Sequence, residues 1–313
     1  MKTLRVRWFA FVVGLTVSLV PDVGRGGQPI APPGKTVEQP LAPDYQLQPI
    51  FTRLAQTSTK ITLNTTFRAS RGVELQEADH VNSQGLDAEL VVPFCQRFQL
   101  RINVPLYTEG DARLLPIPYV NKKLVTKTQP MDRVHFSGNS GVFDFASAYL
   151  ECQILTEEKS GLNLSVSGGI AERLDWLQTD NKISRKYDHS GHYYEVQLRG
   201  DKRVNDWLTV VGNLGFRHYF ISDDLNPAGN QDGDVFSFYE AYLAGVFHPW
   251  NNNLYPVLEV VYNGDGGNYN AVLVAPELIW AVNTHLELKA AVPFSLTTDG
   301  ESIGVRVQAT ARF

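Results

Sequence analysis

Residues 284–294, THLELKAAVPF, alternate strictly. Leu286, Leu288, Ala290, Val292 and Phe294 share one parity; His285, Glu287, Lys289, Ala291 and Pro293 share the other. This is the period of a strand with one apolar and one mostly polar face. The pattern recurs. In RFQLRINVPLY, Phe98, Leu100, Ile102, Val104 and Leu106 oppose Gln99, Arg101 and Asn103. In GLNLSVSGGI, Leu162, Leu164, Val166 and Ile170 oppose Asn163, Ser165 and Ser167. In IGVRVQATARF, Ile303, Val305, Val307, Ala309, Ala311 and Phe313 oppose Arg306, Gln308, Thr310 and Arg312. The pattern predicts strands over 60–69, 85–92, 97–107, 141–155, 161–172, 191–203, 206–220, 234–248, 254–263, 270–282, 284–294 and 303–313. Segments 141–155 and 234–248 carry apolar residues on both parities, so alternation leaves their facing open.

The connections discriminate between folds. Those at 93–96, 156–160, 205–206, 249–253 and 283–284 are short; those at 70–84, 108–140, 173–190, 221–233, 264–269 and 295–302 are longer. Short and long alternate along the chain. An up-and-down barrel in an outer membrane predicts this, with tight turns on the periplasmic side and longer loops outside. A soluble sandwich, whose apolar face would point into a core, gives no reason for it. The expected fold is therefore all-β: a twelve-stranded antiparallel up-and-down transmembrane β-barrel. Lipid offers no partner to a free backbone group, so strands cross only as a closed ring. The apolar parity then faces lipid, and Glu287 and Lys289 face the lumen. Tyr107, Trp207, Phe247, Trp250, Tyr255 and Tyr262, near strand ends, suit interfacial girdles.

Lys2, Arg5 and Arg7 precede the short apolar run WFAFVVGLTVSLV (8–20), the form of an export signal. There is no clean Ala-x-Ala; the cut is expected between Ser18 and Gln28, with an uncleaved anchor as the alternative. The organisation read is a signal over 1–24, a flexible Gly-, Pro- and Gln-rich periplasmic leader over 25–59, and a barrel over 60–313. IFTRLAQTS (50–58) offers one or two helical turns before the first strand.

Composition narrows the class. Mean hydropathy is −0.18 and 43% of the 313 residues are hydrophobic. Past the N-terminus no window reaches the roughly 18 apolar residues of a membrane helix. Net charge is −5 with both signs mixed, and no basic block suits nucleic acid.

The stretch from Tyr255 to Phe294 carries Pro256 and Glu259 in one strand, then Pro276-Glu277-Leu278, then Leu286-Glu287 with Pro293-Phe294, ahead of a last strand ending at Phe313. Together with VVPFCQRFQLRINVPLY (91–107), this resembles the outer-membrane transporter family named for the MetA pathway of phenol degradation, mainly over 85–107 and 254–313. The resemblance implies a channel or transporter for small organic molecules, aromatic ones among them, with no catalytic residues; no cofactor is expected. The Phe-ended last strand also resembles the sorting signal that the barrel assembly machinery reads. Expected partners are outer-membrane lipid, that machinery and a small-molecule solute; the oligomeric state stays open.

Ionisable residues on the lumen parity are Arg101, Arg199, Glu240, Glu259, Glu277, Glu287, Lys289, Arg306 and Arg312. They could line a small polar pore or merely pair with one another. DHSGH (188–192) invites a lipase- or protease-like alternative, but His189, Ser190 and His192 lack a matching neighbour motif, and two histidines without a third ligand make a weak metal site. The loops LNPAGNQDGD and NGDGGN fit polar turn chemistry better than calcium spacing. A third reading is a structural barrel with a plugged lumen, for which the long 108–140 loop is the candidate plug. Cys95 and Cys152 are expected near the same rim on neighbouring strands, a candidate disulfide in an oxidising compartment.

Overall fold

The computed structural model describes residues 47–75, 78–114, 119–120, 123–124, 133–138, 145–172, 189–223, 234–248, 253–267 and 269–313. The expected signal, most of the leader, Trp250 and much of the 108–140 loop lie outside them. The strands are β1 (Thr62–Leu75), β2 (Ala78–Cys95), β3 (Phe98–Leu114), β4 (Tyr119–Val120), β5 (Lys123–Leu124), β6 (Arg133–Gly138), β7 (Ala146–Leu155), β8 (Asn163–Glu172), β9 (His189–Asn205), β10 (Leu208–Asp223), β11 (Asp234–Phe247), β12 (Leu254–Gly264), β13 (Asn270–Ala281), β14 (Leu286–Ala291), β15 (Phe294–Ser295) and β16 (Ile303–Arg312). One short helix, α1 (Glu157–Ser160), joins β7 to β8.

Neighbouring strands run β1-β2-β3-β7-β8-β9-β10-β11-β12-β13-β14-β16, and β16 returns to β1. This is a closed antiparallel barrel of twelve strands. The seam is long, from Thr62↔Arg312 to Arg71↔Ile303. Past it, Phe313 donates its amide to the Ile61 carbonyl at 2.9 Å. β15 continues β14 beyond Pro293. The short connections, and both ends of the barrel chain, gather at one rim, here the turn end. The opposite rim is the loop end.

Facing follows the alternation. Leu100, Leu150, Val166, Leu198, Leu243, Leu258, Leu278 and Val305 stand exposed on the outside, while Gln99, Glu151, Ser167, Arg199, Glu259, Glu277 and Gln308 are buried inside. A soluble protein would reverse this. Here the apolar band is what lipid covers. Aromatic rings stand at both borders of the band. Phe94 and Phe98 stack at the turn end, as do Trp207 and Phe247, with Trp280 and Phe313 beside them. Tyr107, Tyr194, Phe216 and Tyr239 stand exposed toward the loop end. Trp207 and Phe216 are nine positions apart, roughly 23 Å of height for strands tilted about 40°, close to the apolar band of an outer-membrane barrel.

Several details differ from the sequence reading. The 70–84 connection is mostly wall: β1 and β2 pair out to Leu75↔Ala78, with bulges after Ser70 and Val73. Gly72, at φ 69°, supplies the left-handed residue that the bulge needs, and its amide bonds Asn82 Oδ1 at 3.2 Å. Within the 108–140 loop β6 also extends the wall, pairing along the outer half of β3 from Thr108↔Gly138 to Arg113↔Arg133, while β4 and β5 pair with each other in a sheet of their own. Tyr255 is no girdle residue; it faces inward and is buried. The disulfide is not formed: Cys95 and Cys152 are free. Cys95 pairs with Phe98, and Phe98 in turn pairs with Cys152. A whole strand thus lies between them, about 9.6 Å of spacing, beyond the roughly 7 Å reach of a bridge. The cysteines share a rim, but not adjacent strands.

Leu214, at mid-band on β10, is 62% exposed outward. Leu214→Arg is expected to lower unfolding stability in lipid vesicles by about 2–4 kcal/mol; an unchanged urea midpoint would show that this face does not meet lipid.

Candidate functional site

The lumen is not empty. Residues 47–58, the end of the expected flexible leader, run inside the barrel, and no helix forms there. The segment is irregular, so it cannot satisfy its own amides, and the wall does so instead. Ile50 N donates to Glu277 Oε2 (3.0 Å) on β13. Phe51 N and Thr52 N donate to Glu259 on β12 (3.2 and 2.7 Å), as does Thr52 Oγ1 (2.6 Å). Arg53 N reaches Asn213 Oδ1 on β10 (2.6 Å), and Asn213 Nδ2 returns a bond to the Arg53 carbonyl (2.7 Å). Ala55 N and Gln56 N share Asp201 Oδ2 on β9 (2.6 and 3.2 Å). Thr57 N meets Gln153 Oε1 on β7 (3.2 Å), and Ser58 N meets Gln99 Oε1 on β3 (2.6 Å). Successive residues thus bond to strands taken in order around the wall, and the chain then enters β1.

Two further contacts fix the segment. Arg53 crosses the lumen and grips Glu89 of β2 with both guanidinium nitrogens, at 2.8 and 2.7 Å. Leu47 and Leu54 pack on an apolar inner patch made by Val211, Ala244, Val246, Tyr255, Val257, Ile279 and Ala281. That patch explains why 234–248 is apolar on both parities: one side meets lipid and the other meets the segment.

All nine lumen candidates lie in strands of the wall and make interior polar contacts. Arg101 bonds Glu151 at 2.7 Å, reaches Glu89 at 3.6 Å and lies 4.0 Å over the Tyr149 ring. Arg199 pairs with Glu151 at 2.8 Å. Glu287, 0% exposed, is shared by Lys289 and Arg312, each at 2.9 Å. Lys289 also donates to Gln308 at 2.8 Å. Glu240 takes Arg217 at 2.9 Å. Arg306 pairs with Glu301 at 2.6 Å, in the connection after β15, where burial pushes the Glu301 carboxyl above its ordinary range. Glu259 and Glu277 hold the luminal segment. The sequence reading missed Arg53, Glu89, Glu151, Asp201, Asn213 and Arg217. Glu89, Asp201, Asn213 and Arg217 lie in segments the alternation predicts as strands, Glu151 lies in one whose facing the alternation leaves open, and Arg53 lies on a segment with no period.

Toward the loop end the lumen turns aromatic. Tyr149 donates to Glu195 at 2.7 Å, and Arg217 bonds the same carboxylate at 2.8 Å. Ring contacts pass from Phe145 to Tyr193 (5.3 Å), Tyr219 (4.8 Å), Phe238 (5.7 Å) and Tyr269 (5.7 Å). Gly169 faces Tyr149 across β7–β8, and a methyl there would strike that ring. DHSGH does not form a loop throughout: residues 189–192 begin β9. The His192 ring stacks on Phe220 at 5.0 Å and lies edge-on to Tyr194. Among the described residues no cluster of His, Cys, Asp and Glu has the arrangement of a metal site.

No family model matches the chain, and no curated protein matches it in sequence. Solved structures do match in shape. An outer-membrane channel from Pseudomonas putida F1 aligns over 86% of this chain and 100% of its own, at 12% identity and a TM-score of 0.53. The beta domain of the Bordetella autotransporter BrkA aligns over 81% and 100%, at 11% identity and 0.52. The transport unit of the autotransporter AIDA-I from Escherichia coli aligns over 82% and 90%, at 10% identity and 0.52. At these identities the likeness is one of fold: the chain has the barrel architecture of outer-membrane proteins.

Glu259 accepts three bonds from the segment. Glu259→Ala is expected to speed hydrogen exchange at the Phe51 and Thr52 amides by roughly 10- to 100-fold, the equivalent of about 1.5–3 kcal/mol for bonds to a charged group. Unchanged exchange there would mean that the segment is held by other contacts.

Proposed function

We propose that this protein is an outer-membrane channel for small solutes, narrowed by its own N-terminal segment, and that it belongs with the phenol-degradation transporters its sequence resembles. The turn end is then periplasmic, the loop end faces outward, and the strand ending at Phe313 carries the assembly signal. The carrying observation is the way residues 47–58 are held. A structural barrel would fill its lumen with packed side chains, as small barrels do. Here an irregular stretch of chain is held by wall side chains alone, through hydrogen bonds to its amides, the Arg53–Glu89 pair and two packed leucines, and it shares no backbone ladder with the wall. Such a segment can leave without unfolding the wall.

The aromatic run from Phe145 to Tyr269 supports aromatic molecules among the solutes, since ring faces stack on one another without demanding a fixed hydrogen-bond pattern. The plugged structural barrel remains the competing reading, and it rests on the same segment being permanent.

Deletion of 47–58 separates the two. In planar bilayers the deleted chain is expected to conduct severalfold more than the full chain; a silent deletion variant would favour the structural barrel. In vesicles, Tyr219→Ala is expected to slow uptake of phenol while leaving a sugar of similar size unaffected, and equal slowing of both would remove the aromatic preference.

A further inference from the structure

We propose that Glu259 and Glu277 form a proton-binding site under the luminal segment, holding one proton between them while the segment is seated and losing it when the segment leaves. The proton site stands apart from the channel reading; its effect on conduction rests on that reading. The two residues are diagonal neighbours on adjacent strands, since Glu277 pairs with Val257 and Glu259 with Ala275, and both face inward. Glu259 is 0% and Glu277 6% exposed. Their carboxyl groups lie within hydrogen-bond reach of each other. Two buried carboxylates in such contact do not both stay ionised, and one shared proton turns their repulsion into a hydrogen bond.

The donors around the pair tell which partner carries the proton. An ionised carboxylate offers about four lone-pair sites. Glu259 meets three donors from the segment: Phe51 N, Thr52 N and Thr52 Oγ1. Glu277 meets Ile50 N at Oε2, while its Oε1 is buried and meets no donor among the described residues. Glu259 is thus set up as the anion and Glu277 as the acid, whose O–H takes the remaining place on Glu259. The surroundings favour one charge over two. β11 sets buried Ala244 opposite Glu259 and buried Val246 beside it. β14 sets Ala291 opposite Glu277, and its Lys289, which also acts on Glu277, is bonded to Glu287 and Gln308. β12 adds Tyr255, a phenol uncharged at neutral pH. Arg53 of the segment is held by Glu89. Asp201 and Glu89, the other acids that hold the segment, each meet three donors and serve as anions. When the segment leaves, water reaches Glu259 and Glu277, both ionise, and the proton departs. The seated state holds one proton more than the released state, so raising the pH favours release and lowering it favours closure.

The test reads the proton and the conduction separately. Infrared spectra of the full chain in lipid vesicles at neutral pH are expected to show the C=O stretch of a protonated carboxyl that is lost in Glu277→Gln and in the 47–58 deletion. The Glu277→Gln amide can accept from Ile50 N and donate to Glu259, so this variant imitates the protonated acid and keeps the segment seated. In planar bilayers the open fraction of the full chain is expected to rise with pH, by up to roughly tenfold per pH unit. Glu277→Gln is expected to conduct at every pH as the full chain does at its most acid. Heat-modifiable gel migration checks that each variant is folded. Should Glu277→Gln fail that check, Glu259→Gln is expected to lose the same infrared band. A full chain without the band, or a band that survives these substitutions, overturns the site. A band that persists in the deletion variant, or conduction indifferent to pH, overturns the coupling to the segment. Silence in the full chain and the deletion alike overturns the channel reading, while the infrared result still decides the proton site.

Discussion

A backbone N–H or C=O at membrane depth must find its partner in the protein or in water held within the lumen, because lipid supplies none. The wall meets this demand by closing, β16 returning to β1 over the whole seam. The luminal segment meets it differently. It has neither helix nor ladder of its own, so Glu277, Glu259, Asn213, Asp201, Gln153 and Gln99 each present an oxygen to it. One requirement therefore shapes both the closed cylinder and the polar inner surface that receives the segment.

The inner surface has a division of labour by height and by side. Near the turn end an apolar patch seats Leu47 and Leu54. At mid-height carboxylates and arginines alternate, and Arg53 spans the lumen from Asn213 to Glu89. Toward the loop end Tyr149, Tyr193 and Tyr219 surround Arg217 between Glu195 and Glu240. Removing one member of a buried ion pair costs about 3–5 kcal/mol, so these pairs keep the wall rigid. The segment has one such pair, Arg53 with Glu89, and otherwise hangs on separate hydrogen bonds to its amides, the difference on which its proposed departure rests.

Alternation along the chain made all twelve strands legible, together with the facing of Glu287, Lys289, Arg101 and Arg199. A strand's period of two is a local property, and each side of the sheet meets a different medium. The strand lengths at the loop end were less legible. Pairing there continues past the last clean alternation, as in β1 and β2, where bulges shift the register.

The destination of residues 47–58 could not be read locally. A Gly- and Pro-rich approach followed by LQPIFTRLAQTS has no period, and its partners come from strands all around the ring. The one trace in the sequence was apolar residues on both parities of 234–248, which require a second apolar neighbour inside the barrel. The separation of Cys95 from Cys152 likewise depended on β3 lying between them. By itself the sequence determined the class of fold and which side chains face inward, because those follow from a two-residue repeat set against lipid. Only the tertiary structure decided what enters the lumen and which charges pair across it, because those depend on side chains brought together from across the ring.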